Sequence, residues 1–209
     1  MEMTEQDFTQ LDLGIKQFKQ LKQLYTSEQI DSIKTRQQKL WNKWKQLILA
    51  IYETRTSDDL AKPYIESWTN GWQLKGHFYA TFKSPLRMKE ATCISLLWNH
   101  QYLKIGVEWR PYKAATSPIS VFTHNERLMI ALKQIENDAA FAEAVCWISD
   151  RKEYDPFLKW KDHGSFCEEM KAGNGLGIGF VIEKQQIDEP ESLLSRYLTL
   201  LEKLYRTNK

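Results

Sequence analysis

Histidine and cysteine side chains are common metal ligands and nucleophiles, and this sequence has four histidines and three cysteines. The histidines form neither an H-E-x-x-H nor an H-x-H pattern, so the sequence predicts no metal site. No two cysteines form a C-x-x-C pair, so we expect neither a zinc site nor a disulfide framework, and we predict no cofactor.

Most of these side chains are expected to be structural. His77 is predicted to lie on one face of a strand, and His100 is predicted to lie in a hairpin loop. Cys93 and Cys146 lie in apolar, strand-like sequence, where a buried thiol is usually inert. Cys167 is expected to be the most accessible thiol. A cysteine–histidine pair that meets only in space remains an alternative.

Glu108 and Arg110 end a strand-like segment, and residues two apart on a strand share a face. A carboxylate and a lysine in this arrangement hold a metal ion and a water in the E-x-K element of metal-dependent nucleases. Arginine replaces lysine here, and it cannot act as a base because it stays protonated. The alternatives are therefore a hydrolase or nuclease-like site assembled in space and a plain ion pair at the sheet edge.

The glycines between Gly173 and Gly179 resemble a phosphate-binding loop only in composition. Such loops follow a strand and open a helix, so that helix N–H groups point at the phosphate. Here the run leads into a strand-like segment, so we predict a turn before a closely packed strand.

A basic stripe marks the N-terminal third of the chain. From Lys16 to Tyr52 there are eight basic and two acidic residues, a net charge of +6. Arg36, Lys39 and Lys43 flank the apolar side of a predicted helix. Such a stripe fits a phosphate backbone or an acidic protein, and the alternative is an ordinary solvated face.

A second basic group accompanies two tryptophans in the middle of the chain. Lys104 and Arg110 lie near Trp98 and Trp109, which flank a predicted hairpin. Exposed aromatic rings beside basic residues can stack nucleic-acid bases, whereas buried rings would serve cross-strand packing. We include Lys104 and Arg110 with the helical stripe as predicted nucleic-acid or partner contacts.

The composition sets the broad class of protein. The chain has 209 residues, 42% of them hydrophobic, and 12% are aromatic, which is typical of a folded domain rather than a disordered chain. The net charge is only +2, so attraction to nucleic acid must come from local charge. The polar start and the lack of a long apolar run predict a cytoplasmic protein that is not bound to a membrane.

Apolar spacing predicts three helices at the start. Phe8 to Tyr25 and Thr26 to about Tyr52 should form an antiparallel helical hairpin, with Thr26 and Gln29 as a capping box. A third helix is predicted from Ser57 or Asp58 to about Trp68. Further helices are predicted from Thr123, which should open a second capping box, over 155–171 with a break at Gly164, and from Pro190 onwards.

Beyond residue 71 the apolar period changes to two. Strands are predicted over 76–83, 91–98, 102–109, 144–149 and 176–183, and the loop 99–101 should join the second and third as a hairpin. The sequence therefore predicts an α+β fold: an antiparallel sheet of about five strands packed against helices. We expect a single domain over 1–209, with a helical part over 1–70 and an α+β core over 72–209.

Three functions remain open from the sequence. The first is a binding or regulatory module that contacts nucleic acid, or an acidic protein, through its basic residues. The second is an enzyme whose site is assembled in space around Glu108, His77 or Cys167. The third is a scaffold that oligomerises through an amphipathic helix, although the sequence does not indicate the oligomeric state.

Overall fold

The fold is given by a computed structural model that describes residues 3–55, 58–152 and 155–207. The helices are α1 (Glu5–Thr9), α2 (Phe18–Leu24), α3 (Ser27–Glu53), α4 (Val121–Gln134), α5 (Cys167–Lys171) and α6 (Pro190–Thr207). The strands are β1 (Tyr64–Ile65), β2 (Phe78–Phe82), β3 (Thr92–Trp98), β4 (Tyr102–Trp109), β5 (Val145–Ile148), β6 (Leu158–Lys159) and β7 (Leu176–Glu183). Within these ranges no helix is both long and apolar enough to cross a membrane.

The strands form one antiparallel sheet in the order β1-β2-β3-β4-β7-β5-β6. The predicted α+β class is confirmed, but the described sheet has seven strands rather than about five. The two additional strands, β1 and β6, contain two residues each, which is too short for an alternating apolar pattern to be visible in the sequence.

One face of the sheet carries the apolar core. Helices α3, α4 and α6 pack on this face. Trp98 is fully buried at its centre, where its ring meets Phe8 and Phe78 edge-on and lies 6.2 Å from Trp44 between ring centroids. Because side chains alternate along each strand, the residues between these apolar positions face the opposite way.

The opposite face, which we call the polar face, is lined by alternate residues of five strands. Tyr79 lies on β2, Ser95 on β3, Lys104 and Glu108 on β4, and Trp147 on β5. β7 contributes glycines at positions 177 and 179. Polar and charged side chains in otherwise apolar strands are expensive to bury unless they are paired, so this face is where a functional role is expected.

The N-terminal hairpin is confirmed only in part. α3 begins as predicted: Thr26 Oγ1 accepts a bond from the Gln29 amide, and Gln29 Oε1 accepts one from the Thr26 amide. The prediction of one helix from Phe8 to Tyr25 is wrong, because α1 and α2 are separated by residues 10–17. Gly14 lies in this gap, and glycine disfavours the helix interior.

The predicted third helix is also wrong over its described residues; Ser57 lies outside them. Pro63 precedes β1, and the chain runs extended beside β2, with the Ala61 amide bonded to the Lys83 carbonyl and the Glu66 amide to that of Tyr79. The residue before a proline avoids helical geometry, and pairing with β2 supplies the backbone bonds that a helix would have supplied.

Two later predictions need correction as well. α4 begins at Val121, where Ser120 caps the Thr123 amide, so Thr123 lies inside the helix and does not begin it. His124 lies in the first turn of α4 and is buried. The segment predicted as a helix over 155–171 instead contains β6, a 3₁₀ helix over Trp160–Phe166 and the short α5.

A candidate ligand-binding site on the polar face

Three side chains form the centre of the candidate site. Lys104 and Glu108 lie on the same face of β4, and Tyr79 reaches them from β2. The Tyr79 hydroxyl donates a bond of 2.6 Å to Glu108 Oε1, and Lys104 Nζ donates one of 2.8 Å to Oε2. Both carboxylate oxygens are therefore bonded to donors that fix the carboxylate against the sheet.

The electrostatics of this cluster keep Glu108 ionised. Burial alone would raise its pKa, but the charge of Lys104 and the hydrogen bonds from Lys104 and Tyr79 hold the pKa below its usual range. Burial, and then the Glu108 charge, raise the pKa of Tyr79 well above its ordinary value, so its hydroxyl stays protonated. The cluster is a stable arrangement of a neutral phenol, a carboxylate and an ammonium group.

Arg110 continues the line of charge beyond Glu108. Its guanidinium lies 4.4 Å from the ring centroid of Tyr79 and 4.4 Å from that of Tyr112. Nη2 contacts Glu66 Oε1 at 3.3 Å, whereas Lys75 Nζ holds the other oxygen of Glu66 at 2.7 Å. The guanidinium is therefore fixed by two aromatic rings, and Glu66 is bound more closely to Lys75 than to Arg110.

Trp147 forms the wall opposite Arg110. Its indole lies over the glycines of neighbouring strands, where a Cβ at Gly106 or Gly177 would overlap it. Lys104 Nζ lies 4.3 Å from the centroid of the indole ring, and Phe157 meets it edge-on at 5.7 Å. The glycines are thus explained by the close approach of a large ring, as expected of glycine inside a strand.

These residues surround a cavity of about 320 Å³, which we call the cup. Beside it lies a second cavity of about 410 Å³, which we call the groove. Glu66, Arg110 and Tyr112 line both, so the two form one continuous surface. The charged residues lining them are six cationic and two acidic: Lys62, Lys83, Lys104, Arg110, Lys113 and Arg151 with Glu66 and Glu108.

The groove combines exposed aromatic rings with positive charge. Tyr64 and Tyr112 are each 64% exposed. Burial lowers the pKa of Lys83, and the positive charges of Arg110 and Lys113 lower it further, although Cys93 acts in the opposite direction. The positive charge of the groove is therefore shown by the cations that line it, Lys62, Lys83, Arg110 and Lys113, against the single carboxylate of Glu66.

Two of the five predicted contact residues lie in this site. Lys104 and Arg110 line the cup. Arg36, Lys39 and Lys43 lie on α3 in a separate depression, where the acidic residues Asp7, Glu28 and Asp31 also lie, and Lys43 is paired with Asp7 at 2.7 Å. The sequence count already included Glu28 and Asp31, so Asp7 is the added charge, and in this depression three cations lie beside three carboxylates.

Of the two alternatives for Trp98 and Trp109, the structure has the packed one and not the exposed aromatic platform. Trp98 and Trp109 are both buried, Trp98 in the core and Trp109 beside His124, where Trp109 also lines the cup. The other aromatic residues of the site are Tyr64, Tyr79, Tyr112 and Trp147. Sequence reasoning missed them because they come from segments far apart in the chain. One pattern in the sequence could have identified part of the site: Tyr79, Lys104 and Glu108 each lie between apolar residues of a predicted strand, and so face away from the apolar core.

The residues considered for catalysis are only partly brought together. Glu108 and His77 both line the cup, whereas Cys167 is exposed on α5 and does not line it. Cys93 is buried on β3 as the register partner of Glu108, and burial raises the pKa of its thiol to about 12. Among the described residues no group of three or more His, Cys, Asp and Glu side chains is placed to hold a metal ion.

Comparison with known proteins places the chain in a family. A protein-family model matches residues 3–208. The chain belongs to this family. It is also similar to an uncharacterized protein of Haemophilus influenzae (strain Rd), with 30% identity over 209 residues, covering 98% of this chain and 97% of the relative. The match spans the whole sheet, so the strands that line the cup and the groove lie within the shared region.

Proposed function

We propose that the protein is a binding module that contacts single-stranded nucleic acid along the polar face of its sheet. The observation that carries this proposal is the joining of cup and groove into one surface with six cationic and two acidic residues. Each phosphate group along a nucleic-acid strand is attracted to a surface with such an excess of positive charge.

The exposed tyrosines favour a single strand over other polyanions. Tyr64 and Tyr112 flank the groove beside Lys62 and Lys113. Unpaired bases stack on exposed aromatic rings, each such contact contributing about 1–3 kcal/mol, while neighbouring cations bind the backbone. An acidic protein would also be attracted by the positive charge of the groove, but it has fewer flat rings than a nucleic acid to stack on the two tyrosines. This chemistry supports nucleic acid as the partner.

The polar face is a better candidate than α3. Acidic residues surround Arg36, Lys39 and Lys43, so a phosphate there would also meet Asp7, Glu28 and Asp31. On α3 three cations thus face three carboxylates, whereas six cations face two carboxylates in the cup and the groove. The α3 stripe remains the alternative contact surface, and the experiment below separates the two.

The protonation states favour binding over catalysis. A general base works best with a pKa near neutrality, but Glu108 has a lowered pKa and both of its oxygens are occupied. Tyr79 and Cys93 have raised pKa values, so neither supplies an anionic nucleophile at neutral pH. The enzyme alternative rests on one observation, that Glu108 and His77 share the cup.

Fluorescence anisotropy with labelled single-stranded RNA, single-stranded DNA and duplex tests the proposal. We expect single strands to bind more tightly than duplex, with an affinity that falls steeply as salt is added. Reversing two exposed charges at the groove in Lys62→Glu/Lys113→Glu should weaken binding about tenfold or more. Arg36→Glu/Lys39→Glu reverses two exposed charges on α3 and is the matched control, which should bind almost as the wild type does.

Two results would overturn the proposal. If the wild type binds neither RNA nor DNA at low salt, the protein is not a nucleic-acid-binding module of this kind. If the α3 variant loses binding while the groove variant keeps it, the helical stripe and not the polar face is the contact surface.

A further inference from the structure

Arg110 is held in a way that suits recognition of an oxyanion. Its guanidinium carbon lies 4.4 Å from the ring centroid of Tyr79 and 4.4 Å from that of Tyr112, so two aromatic rings hold the group in place. A planar guanidinium presents a fork of donors that fits two oxygens of one phosphate. Because the rings fix the side chain in advance, little rotamer entropy remains to be lost when a ligand binds.

The present partner of Arg110 can be displaced. Among the described residues its side chain makes one hydrogen bond, at 3.3 Å to Glu66 Oε1. That distance is longer than is usual for a charge-assisted bond, which lies at about 2.7–2.9 Å. Glu66 keeps Lys75 at 2.7 Å if Arg110 turns to a ligand, so its carboxylate would not be left unpaired.

The cup is bounded at the end away from the groove. Arg151 stacks on Phe157 with 3.8 Å between its guanidinium and the ring centroid, and it also bonds to the Tyr102 hydroxyl and the Asp155 carbonyl. Trp147 stands beside it over the glycines. A strand that entered from the groove would therefore meet Arg151 and Trp147, and Arg151 also lines a further cavity of about 690 Å³ with Tyr102 and Phe157.

The size of the cup fits one small group, such as the phosphate at the end of a nucleic-acid strand. Its volume of about 320 Å³ lies at the lower end of ligand pockets, which span roughly 300–1,000 Å³. Lys104, Arg110 and Arg151 line it, and Lys75, which does not line it, binds Glu66. Four cations therefore accompany the two carboxylates Glu66 and Glu108, a net charge of +2. A group with two negative charges suits this balance better than the single charge of an internal phosphodiester.

We propose that the cup binds the terminal phosphate of the nucleic-acid strand, with Arg110 as its bidentate ligand and Lys104 and Arg151 as further cations. The adjoining groove then receives the bases that follow, on Tyr112 and Tyr64. This inference rests on the function proposed above and adds that the protein recognises the end of a strand.

One oligonucleotide sequence with different ends tests the inference in the wild-type protein. The strands carry a 5′-phosphate, a 3′-phosphate or hydroxyls at both ends, and anisotropy gives each affinity. We expect a phosphate at one of the two ends to strengthen binding about tenfold, which is typical of a well-placed hydrogen bond to a charged group. Equal affinities for the three strands would overturn the inference and leave the proposed function standing.

Arg110→Lys tests the role of the guanidinium. The substitution keeps the charge but removes the fork, so we expect the ratio between the affinities for the phosphorylated and the hydroxyl-ended strand to fall to about one. Arg36→Lys on α3 is the matched control and should keep the preference. A preference that persists in Arg110→Lys would show that this residue is not the ligand.

Inorganic phosphate separates a terminal phosphate from a free one. In competition, it should reduce the affinity for the phosphorylated strand towards that for the hydroxyl-ended strand. If inorganic phosphate binds the wild type in equilibrium dialysis while no strand binds, the cup is a site for the free ion. That result would overturn both the end-recognition inference and the proposed function.

Discussion

The indole of Trp147 lies across Gly177 so closely that a Cβ at position 177 would overlap it. Trp147 is on β5 and Gly177 on β7, and the two residues are register partners. The same indole also covers Gly106 on β4. Three neighbouring strands thus cooperate to place one ring in the wall of the cup, and the ring position depends on glycine at these points.

Gly177→Ala should displace this ring. Because the neighbouring atoms belong to a large, packed side chain, we expect a loss of about 1–3 kcal/mol in the free energy of unfolding, as for other overpacked sites. Urea denaturation measures the loss. Gly14→Ala is the control: a Cβ there meets nothing within 4 Å, and its effect should stay within about 0.5 kcal/mol. Equal effects of the two substitutions would contradict the packing argument.

Lys104 and Glu108 should be strongly coupled. Their side chains are 12% and 13% exposed, so Lys104→Met or Glu108→Gln alone leaves a charged group poorly solvated, at a cost of about 2–4 kcal/mol. The double variant removes both charges, and we expect it to cost about 1–3 kcal/mol less than the sum of the single variants. A double-mutant cycle from urea denaturation measures this coupling.

The exposed pair Lys34 and Asp31 is the control for that cycle. Its side chains are 43% and 72% exposed, so solvent screens the interaction. Lys34→Met and Asp31→Asn should show a coupling below about 1 kcal/mol. A coupling at Lys104 and Glu108 that is no larger than this would show that the cluster does not hold the polar face together.

The elements with a long, regular apolar period were predictable from the sequence. α3 and β7 lie where the pattern placed them, and the loop 99–101 joins β3 and β4 as a hairpin. In these segments the apolar pattern and the local conformational propensity of the residues both favour the same secondary structure. The segment around Pro63 was predicted wrongly because its structure depends on pairing with β2, and that partner is distant in the sequence.

The candidate site was predictable only where a single strand contains it. Lys104 and Glu108 share a face of β4, as the period of two predicts, and Arg110 follows the last residue of that strand. Tyr79 and Trp147 come from other strands, and Glu66 comes from a loop that the sequence mistook for a helix. No local pattern connects these residues, so their convergence depends on strand order and register, which the sequence alone does not provide.

His124 should make the stability of the protein depend on pH. It is fully buried, where Nδ1 lies 2.9 Å from Thr92 Oγ1 and Nε2 lies 2.7 Å from the Leu176 carbonyl. A neutral ring explains both bonds if Nε2–H donates to the carbonyl and Nδ1 accepts from the threonine hydroxyl. Burial lowers the pKa of His124 from 6.5 to about 4, although the bond to Leu176 acts in the opposite direction.

The sign of the effect follows from this lowered pKa. Between pH 6.5 and about pH 4 the unfolded chain binds a proton at His124 that the folded protein does not, so stability falls as the pH falls through this range. We expect a loss of about 3 kcal/mol from this residue. His124→Gln should have a smaller pH dependence, measured by urea denaturation at several pH values. Equal pH dependence in the two proteins would contradict this assignment.

The three cysteines should differ sharply in reactivity. Cys93 and Cys146 are buried, and burial raises the pKa of each thiol to about 12, whereas Cys167 is exposed. Because the thiolate is the reactive form, we expect 5,5′-dithiobis(2-nitrobenzoate) to modify only Cys167 rapidly in the native protein. Cys167→Ser should abolish this rapid phase, and denaturant should expose the other two thiols. A rapid phase that persists in Cys167→Ser would mean that the sheet opens locally around Cys93 or Cys146, and the polar face could not then be the rigid surface that the proposed site requires.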